Sequence, residues 1–97
     1  MIGVYAHAHV KPEHVSNFEE LAEKLAEASI KEEGVVSYEV GPLINPESPE
    51  DPQYAFIERW DSIEALEAHL ETDHYVQADA QCQEYLATPM QISIYEI

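Results

Sequence analysis

The segment from residue 53 to residue 74 constrains the fold of this chain most strongly. Gln53–Trp60 alternates with the period of a half-buried strand, which places four side chains on one face: Tyr54, Phe56, Glu58 and Trp60. A helical pattern follows, and Asp61 with Glu64 resembles a capping box at its start. Thr72–Asp73 offers a second helix start within the same pattern. The segment therefore predicts a strand that leads into helical structure with two caps.

Alternation and helical spacing also predict the other elements. Ile2–Val10 has period two and predicts the first strand, whereas Pro12 begins a helical pattern that Gly34 is expected to end. Three further elements are predicted, namely a strand over 35–40, a helix from Thr72 to before Pro89, and a strand over 90–97. Four prolines between the second and third strands indicate a long hairpin connection: Pro42, Pro46, Pro49 and Pro52.

The order of elements is strand, helix, strand, strand, helix, strand. This order is typical of an α+β chain with the ferredoxin-like βαββαβ arrangement, an antiparallel sheet with helices on one face. The 97 residues predict one domain over residues 1–97. Because the other face of the sheet would be uncovered in a monomer, we expect a homodimer.

Charge and cysteine content exclude several classes of partner. The chain has 20 acidic and 4 basic residues, and a formal charge of -16 disfavours nucleic acid and anionic membrane surfaces as partners. The single cysteine, Cys82, permits no internal disulfide and falls on an apolar stripe, which predicts an inert buried thiol. The first residues lack a basic segment before an apolar one, so a cytoplasmic location is the default expectation.

Two histidines near the second cap are the first candidates for a functional site. His69 and His74 are five residues apart, which on one continuous helix separates their rings by roughly 140 degrees. They can converge only if the helix breaks at Thr72–Asp73. A helix start at His74 disfavours a cation and favours a neutral imidazole that can act as a base. The alternative is that each is a polar residue at a helix edge.

Other side chains carry two interpretations each. His7 and His9 share a strand face and could hold a metal together with His69, His74 or Glu58, although ligand types alone do not define a geometry. Trp60 ends the third strand, where its ring could stack on a planar ligand or pack in the core. Tyr38 and Phe56 have the same two interpretations.

Three segments resemble the antibiotic biosynthesis monooxygenase domain family, in the branch of small quinol monooxygenases and the autoinducer-2 degradation protein: residues 32–38, 56–62 and 69–75. The resemblance implies a homodimeric α+β barrel that oxidises phenols or quinols with O2 and uses no metal or flavin. It matches Tyr38, Trp60, His69 and His74 to site positions of the family. Haem-degrading relatives require an axial histidine where this chain has Asp79, so haem degradation is not expected.

We therefore predict a cofactor-independent monooxygenase that acts with O2 on a small quinol or other dihydroxyaromatic. His74 is the predicted base, with His69 or His7 as hydrogen-bond donor to the oxyanion. The predicted substrate-binding residues are Tyr38, Phe56, Glu58 and Trp60. Two alternatives stay open. One is an isomerase of a small phosphorylated metabolite, which would need Lys31 or Arg59 in the pocket, and the other is a non-catalytic ligand-binding dimer.

Overall fold

A computed structural model describes residues 1–46 and 51–97 of the chain. A short 3-10 turn, Pro12–His14, precedes the first helix. The strands and helices in chain order are β1 (Ile2–His9), α1 (Val15–Ser29), β2 (Val35–Pro42), β3 (Gln53–Trp60), α2 (Ile63–Leu70), α3 (Asp73–Cys82) and β4 (Gln91–Glu96). The predicted hairpin connection between β2 and β3 includes residues 47–50, which lie outside the described residues.

The four strands form one antiparallel sheet in the order β2-β3-β1-β4. β1 pairs with β3 from Ile2 opposite Trp60 to His9 opposite Gln53, and with β4 along its other edge. This order, with the helices on one face, confirms the predicted ferredoxin-like α+β fold.

The face of the sheet that carries the helices forms the hydrophobic core. The predicted alternation is confirmed, since one set of side chains on the two central strands is buried: Val4, Ala6, Ala8, Tyr54, Phe56, Glu58 and Trp60. Phe18 and Ala22 of α1, Leu66 of α2 and Cys82 of α3 pack in the same core. Burial raises the pKa of the Cys82 thiol to about 11, as expected for an unreactive cysteine.

The end of α1 differs from the prediction. The helix ends at Ser29, five residues before Gly34, and the intervening residues form a turn. Gly34 has a φ of 88°, a backbone conformation that only glycine adopts readily. A Cβ at this position would lie 2.6 Å from the Cβ of Ala65, so the turn packs closely against α2. This contact holds the residues of the turn beside the helices.

Two side chains cap α2 and α3. The predicted cap at Asp61 is wrong by one residue, because Ser62 has the extended backbone of a cap and its Oγ accepts from the Ala65 N–H at 3.2 Å. The predicted cap at Thr72 is confirmed, since its Oγ1 accepts from the Tyr75 N–H at 3.3 Å. The helical segment is therefore broken at Thr72, the condition that brings His69 and His74 together.

Among residues 1–46 and 51–97, no helix packs on the opposite face of the sheet. His7 and His9 lie on this face, where Ile57 and Tyr95 are exposed. The Tyr95 ring lies over Gly3, and a Cβ there would come within 2.5 Å of the ring. In the described part of the chain, no helix has both the length and the apolar character needed to cross a membrane.

Candidate functional site

A cavity of about 180 Å³ lies between the sheet and the helices. Most of its wall is apolar and comes from α1, α3 and the inner face of the sheet. Ile92 and Ile94 of β4 also line it and are about half exposed, so the cavity opens to solvent beside that strand. The polar side chains in its wall are Tyr38, Glu58, His69, Tyr75, Asp79 and Gln83. A mostly apolar cavity with a few polar groups is typical of a site for a small organic ligand.

The His69 ring contacts the carboxylate of Glu32, a residue that does not line the cavity. Its Nδ1 lies 2.7 Å from Oε2 of Glu32, and Nε2 of His74 lies 2.6 Å from the same oxygen. Glu32 is in the turn between α1 and β2, whereas the two histidines lie on either side of the helix break at Thr72. The hydroxyl of Thr72 also donates to the His69 carbonyl at 2.7 Å. Side chains from α2 and α3 therefore meet at one carboxylate oxygen, which comes from the turn before β2.

These contacts define the tautomer of His69. A carboxylate accepts hydrogen bonds, so the hydrogen of the neutral His69 imidazole lies on Nδ1 and its Nε2 carries a lone pair. The imidazole is 1% exposed, and Nε2 has no hydrogen-bond partner among the described residues. Burial lowers the pKa of His69, against the opposing effect of the hydrogen bond with Glu32. His69 lines the cavity, and its Nε2 is a buried acceptor whose hydrogen-bonding capacity is unused.

Glu58 is the second buried polar group of the cavity wall. Its Oε1 accepts from the Trp60 indole N–H at 3.0 Å, and the residue is 6% exposed. Burial raises its pKa to about 7, although the hydrogen bond from Trp60 opposes the change. The buried carboxyl group is therefore harder to ionise than an exposed glutamate.

The predicted aromatic residues occupy different positions around the cavity. Tyr38 and Phe56 line it, whereas Trp60 does not and instead packs against the His69 ring at a centroid distance of 4.6 Å. Burial, followed by the charge of Glu58, raises the pKa of the Tyr38 phenol. Trp60 therefore supports the wall by holding both His69 and Glu58.

The three predicted catalytic histidines are not all brought together. His69 lines the cavity, and His74 lies behind it, 31% exposed and in contact with Glu32. His7 lies on the opposite face of the sheet, where its Nε2 is 2.8 Å from Oε1 of Gln53. The metal set that would combine His7 and His9 with His69, His74 or Glu58 is thus divided by the sheet.

Glu32 is a site residue to which the sequence interpretation assigned no role. It is one of 20 acidic residues, and its position before Gly34 is the only local signal that it lies in a tight turn. Its carboxylate and the two imidazoles place three potential metal-binding atoms within 4.8 Å of one another. None of the four Lys and Arg residues, all of which the structure describes, lines the cavity.

Comparisons with known proteins agree on one family. The sequence model of the family described as Antibiotic biosynthesis monooxygenase matches residues 1–81. The chain is 29% identical over 92 residues to YcnE of Bacillus subtilis, named provisionally as a monooxygenase, and this match covers 95% of the chain and 93% of YcnE.

Solved structures with the same fold support this match. A conserved protein from Methanosarcina mazei Go1 is 34% identical with a TM-score of 0.88, covering 98% of this chain and 90% of that one. A Caulobacter crescentus CB15 protein, described provisionally as an antibiotic biosynthesis monooxygenase, is 27% identical with a TM-score of 0.87 and covers 99% and 88%.

Proposed function

Because the chain belongs to the antibiotic biosynthesis monooxygenase family, we propose that it inserts one oxygen atom of O2 into a small phenol or quinol bound in the cavity. The observation that carries this proposal is the buried and unpartnered Nε2 of His69, a residue that lines the apolar cavity. A buried acceptor without a partner costs free energy unless a ligand supplies a donor. A phenolic hydroxyl supplies that donor, and its ring matches the apolar wall.

The cavity volume supports a substrate with one ring. A cavity of roughly 150 Å³ is sufficient to bind benzene, and the cavity here is about 180 Å³. One ring with a few oxygen substituents fits this space. The open side beside Ile94 would admit a substituent that extends toward solvent.

The first step is transfer of the phenolic proton to Nε2 of His69. A phenol has a pKa near 10 and an imidazole one near 6.5, so the transfer costs about 5 kcal/mol unless the site stabilises the products. The Glu32 carboxylate at 2.7 Å stabilises the imidazolium that forms, as the carboxylate does in a catalytic triad. Because the Glu32 and His69 side chains are mostly shielded from water, the attraction between the carboxylate and the imidazolium is stronger than it would be in water.

Oxygen then reacts with the ring of the phenolate. The ring gives electrons to O2, a bond forms between a ring carbon and one oxygen, and the resulting hydroperoxide loses water. For a dihydroxybenzene, the substrate and O2 give a hydroxyquinone and one water, so the four electrons lost by the ring reduce O2. One oxygen atom enters the product and the other enters water. Tyr38 and Phe56 would hold the ring and exclude bulk water.

The proposal assigns the role of base to His69 rather than to His74. Nε2 of His74 is hydrogen-bonded to Glu32, and His74 does not line the cavity. His74 instead shares the carboxylate that orients His69 and so acts through it. The position of His7 on the far side of the sheet gives it no contact with a substrate in this cavity.

We also propose that the working unit is a homodimer. The sheet face without helices exposes Ile57 and Tyr95, and an uncovered face with such residues is a suitable surface for a second copy. The proposed partners of the dimer are a small aromatic substrate and O2. The formal charge of -16 argues against nucleic acid or an anionic membrane as a further partner.

The test is oxygen consumption by metal-stripped protein with a panel of monocyclic quinols and catechols. We expect uptake with at least one substrate, with one labelled atom of 18O2 in the product. His69→Gln should lower turnover about 100-fold or more, the range for loss of a general base, whereas His14→Gln, outside the cavity, should not. His74→Gln should retain more activity than His69→Gln. Thermal unfolding of each variant would show that the fold is intact.

The other outcomes separate the alternatives. Saturable binding of the panel without oxygen uptake would refute the monooxygenase and favour a ligand-binding dimer. Unchanged turnover in His69→Gln would remove His69 from the reaction. The isomerase of a phosphorylated metabolite gains no support from the site, since neither Lys31 nor Arg59 lines the cavity.

A further inference from the structure

We propose that Glu32, His69 and His74 also form a binding site for one zinc ion, on the side of His69 away from the cavity. The three atoms that would bind the ion are a carboxylate oxygen of Glu32, Nδ1 of His69 and Nε2 of His74, all within 4.8 Å of one another. They come from three separate segments, which the turn at Gly34 and the helix break at Thr72 bring together.

The donor set suits zinc among the divalent ions. Two imidazoles and one carboxylate are the protein ligands of several zinc enzymes, with water at the fourth position. Neutral imidazole is a poor ligand for magnesium or calcium, which prefer oxygen donors. The long-range attraction of a chain with a formal charge of -16 would raise the local concentration of any cation.

Zinc binding requires adjustments of two kinds. The two nitrogens, which lie within 4.8 Å of each other, must approach by at most roughly 1.4 Å, and the carboxylate oxygen must move away from both. Zinc binds nitrogen and oxygen ligands at about 2.0–2.2 Å, which in tetrahedral geometry separates two ligands by roughly 3.4 Å. The carboxylate oxygen now lies 2.7 and 2.6 Å from the two nitrogens, so it must withdraw by roughly 0.7 Å to admit the ion. Glu32 lies in a turn rather than in a helix or strand, which allows its side chain to move. His74 is 31% exposed and provides an entry path.

Zinc binding would change the chemistry of the cavity. A neutral imidazole carries one hydrogen, so an ion on Nδ1 of His69 places that hydrogen on Nε2. The buried Nε2 would then donate a hydrogen bond instead of accepting one. If the proposed function is correct, zinc therefore inhibits the proton transfer. The binding site itself does not depend on that function.

The test is titration of the metal-stripped full chain with ZnCl2 by calorimetry, together with 15N NMR of the histidine side chains. We expect one zinc per chain and a change in the His69 signals from the Nδ1-H to the Nε2-H tautomer. Glu32→Gln and His74→Gln should each weaken binding about tenfold or more, because both remove a ligand. The matched controls are His7→Gln and His9→Gln, whose rings lie 4.7 Å apart on the opposite face of the sheet.

The controls make the test decisive. Loss of binding in the His7 or His9 variant, with Glu32→Gln unaffected, would overturn the proposal by placing the ion on the opposite sheet face. Absence of one-to-one binding, or an unchanged His69 tautomer in the presence of zinc, would also overturn it. The NMR measurement uses the unmodified chain and so decides the question even if a variant fails to fold. Zinc binding without any oxygen uptake would leave this site standing and count only against the monooxygenase.

Discussion

Replacing Glu58 by Gln should stabilise the protein at alkaline pH and not at acidic pH. The carboxyl group is 6% exposed, and burial raises its pKa from 4.5 to about 7. Because the pKa is higher in the folded state, the contribution of Glu58 to stability is fully present below pH 4.5 and is lost as the pH rises through 7. Above pH 7 the folded state must hold a charge that water solvates better.

The magnitude follows from the two pKa values. Each factor of ten in an ionisation constant corresponds to about 1.4 kcal/mol, so the cost of ionised Glu58 approaches roughly 3 kcal/mol well above pH 7. The side chain of the Glu58→Gln variant cannot ionise, and its amide oxygen can still accept from the Trp60 indole. We therefore expect this substitution to raise the free energy of unfolding by about 3 kcal/mol at pH 8.5 and by less than about 1 kcal/mol at pH 5.

The assay is thermal or urea unfolding at both pH values and at a fixed protein concentration, since the proposed dimer would make the midpoint concentration-dependent. At about 4 °C per kcal/mol, the expected rise in Tm at pH 8.5 is about 12 °C. Glu39→Gln is the matched control, because Glu39 is an exposed strand residue and its loss changes the net charge equally. An equal effect of Glu58→Gln at both pH values would refute the reasoning, and uniform destabilisation would assign the role of Glu58 to packing.

Two further predictions concern the backbone. Gly3→Ala should destabilise the fold by about 1–3 kcal/mol, because its Cβ would lie 2.5 Å from the Tyr95 ring, whereas the control Gly41→Ala has no atom within 4 Å of the new Cβ. Urea unfolding measures both, and equal losses would show that the Tyr95 ring moves aside at no cost. Ser62→Ala should cost about 1 kcal/mol through loss of the cap on α2, and Asp61→Ala should cost less. The opposite ranking in the same assay would restore Asp61 as the cap.

The sequence predicted the strands and helices because strand alternation and helix caps depend on residues that are close together in the chain. The alternation of Tyr54, Phe56, Glu58 and Trp60 defines β3 at both ends, and the Thr72 cap defines the break before α3. The capping error arose because Asp61 and Ser62 are both good caps and only the backbone angles distinguish them. α3 ends at Cys82 rather than near Pro89, since residues 83–89 form turns and an isolated bridge from Leu86 to Val10, the residue after β1, instead of continuing the helix.

The candidate site was only partly predictable, because its geometry depends on contacts distant in sequence. The helix break correctly placed His69 near His74, but Glu32 is 37 and 42 positions away from them and has no distinguishing local pattern. The side of the sheet on which each histidine lies follows from strand alternation. His7 pairs with Ala55 and therefore lies on the face of the sheet opposite Glu58. Strand alternation alone thus predicts that His7 lies away from a cavity lined by Glu58.

The two nitrogens of His69 connect the two proposals. Nε2 is buried without a partner in a residue that lines the cavity, and Nδ1 lies at a carboxylate that is 13% exposed. Because one hydrogen is shared between two nitrogens, whatever binds at Glu32 determines whether the cavity presents an acceptor or a donor. A change of ligand at Glu32 therefore alters the chemistry of the cavity without any movement of the sheet. The tautomer of His69, measured with and without zinc, is the quantity on which both proposals depend.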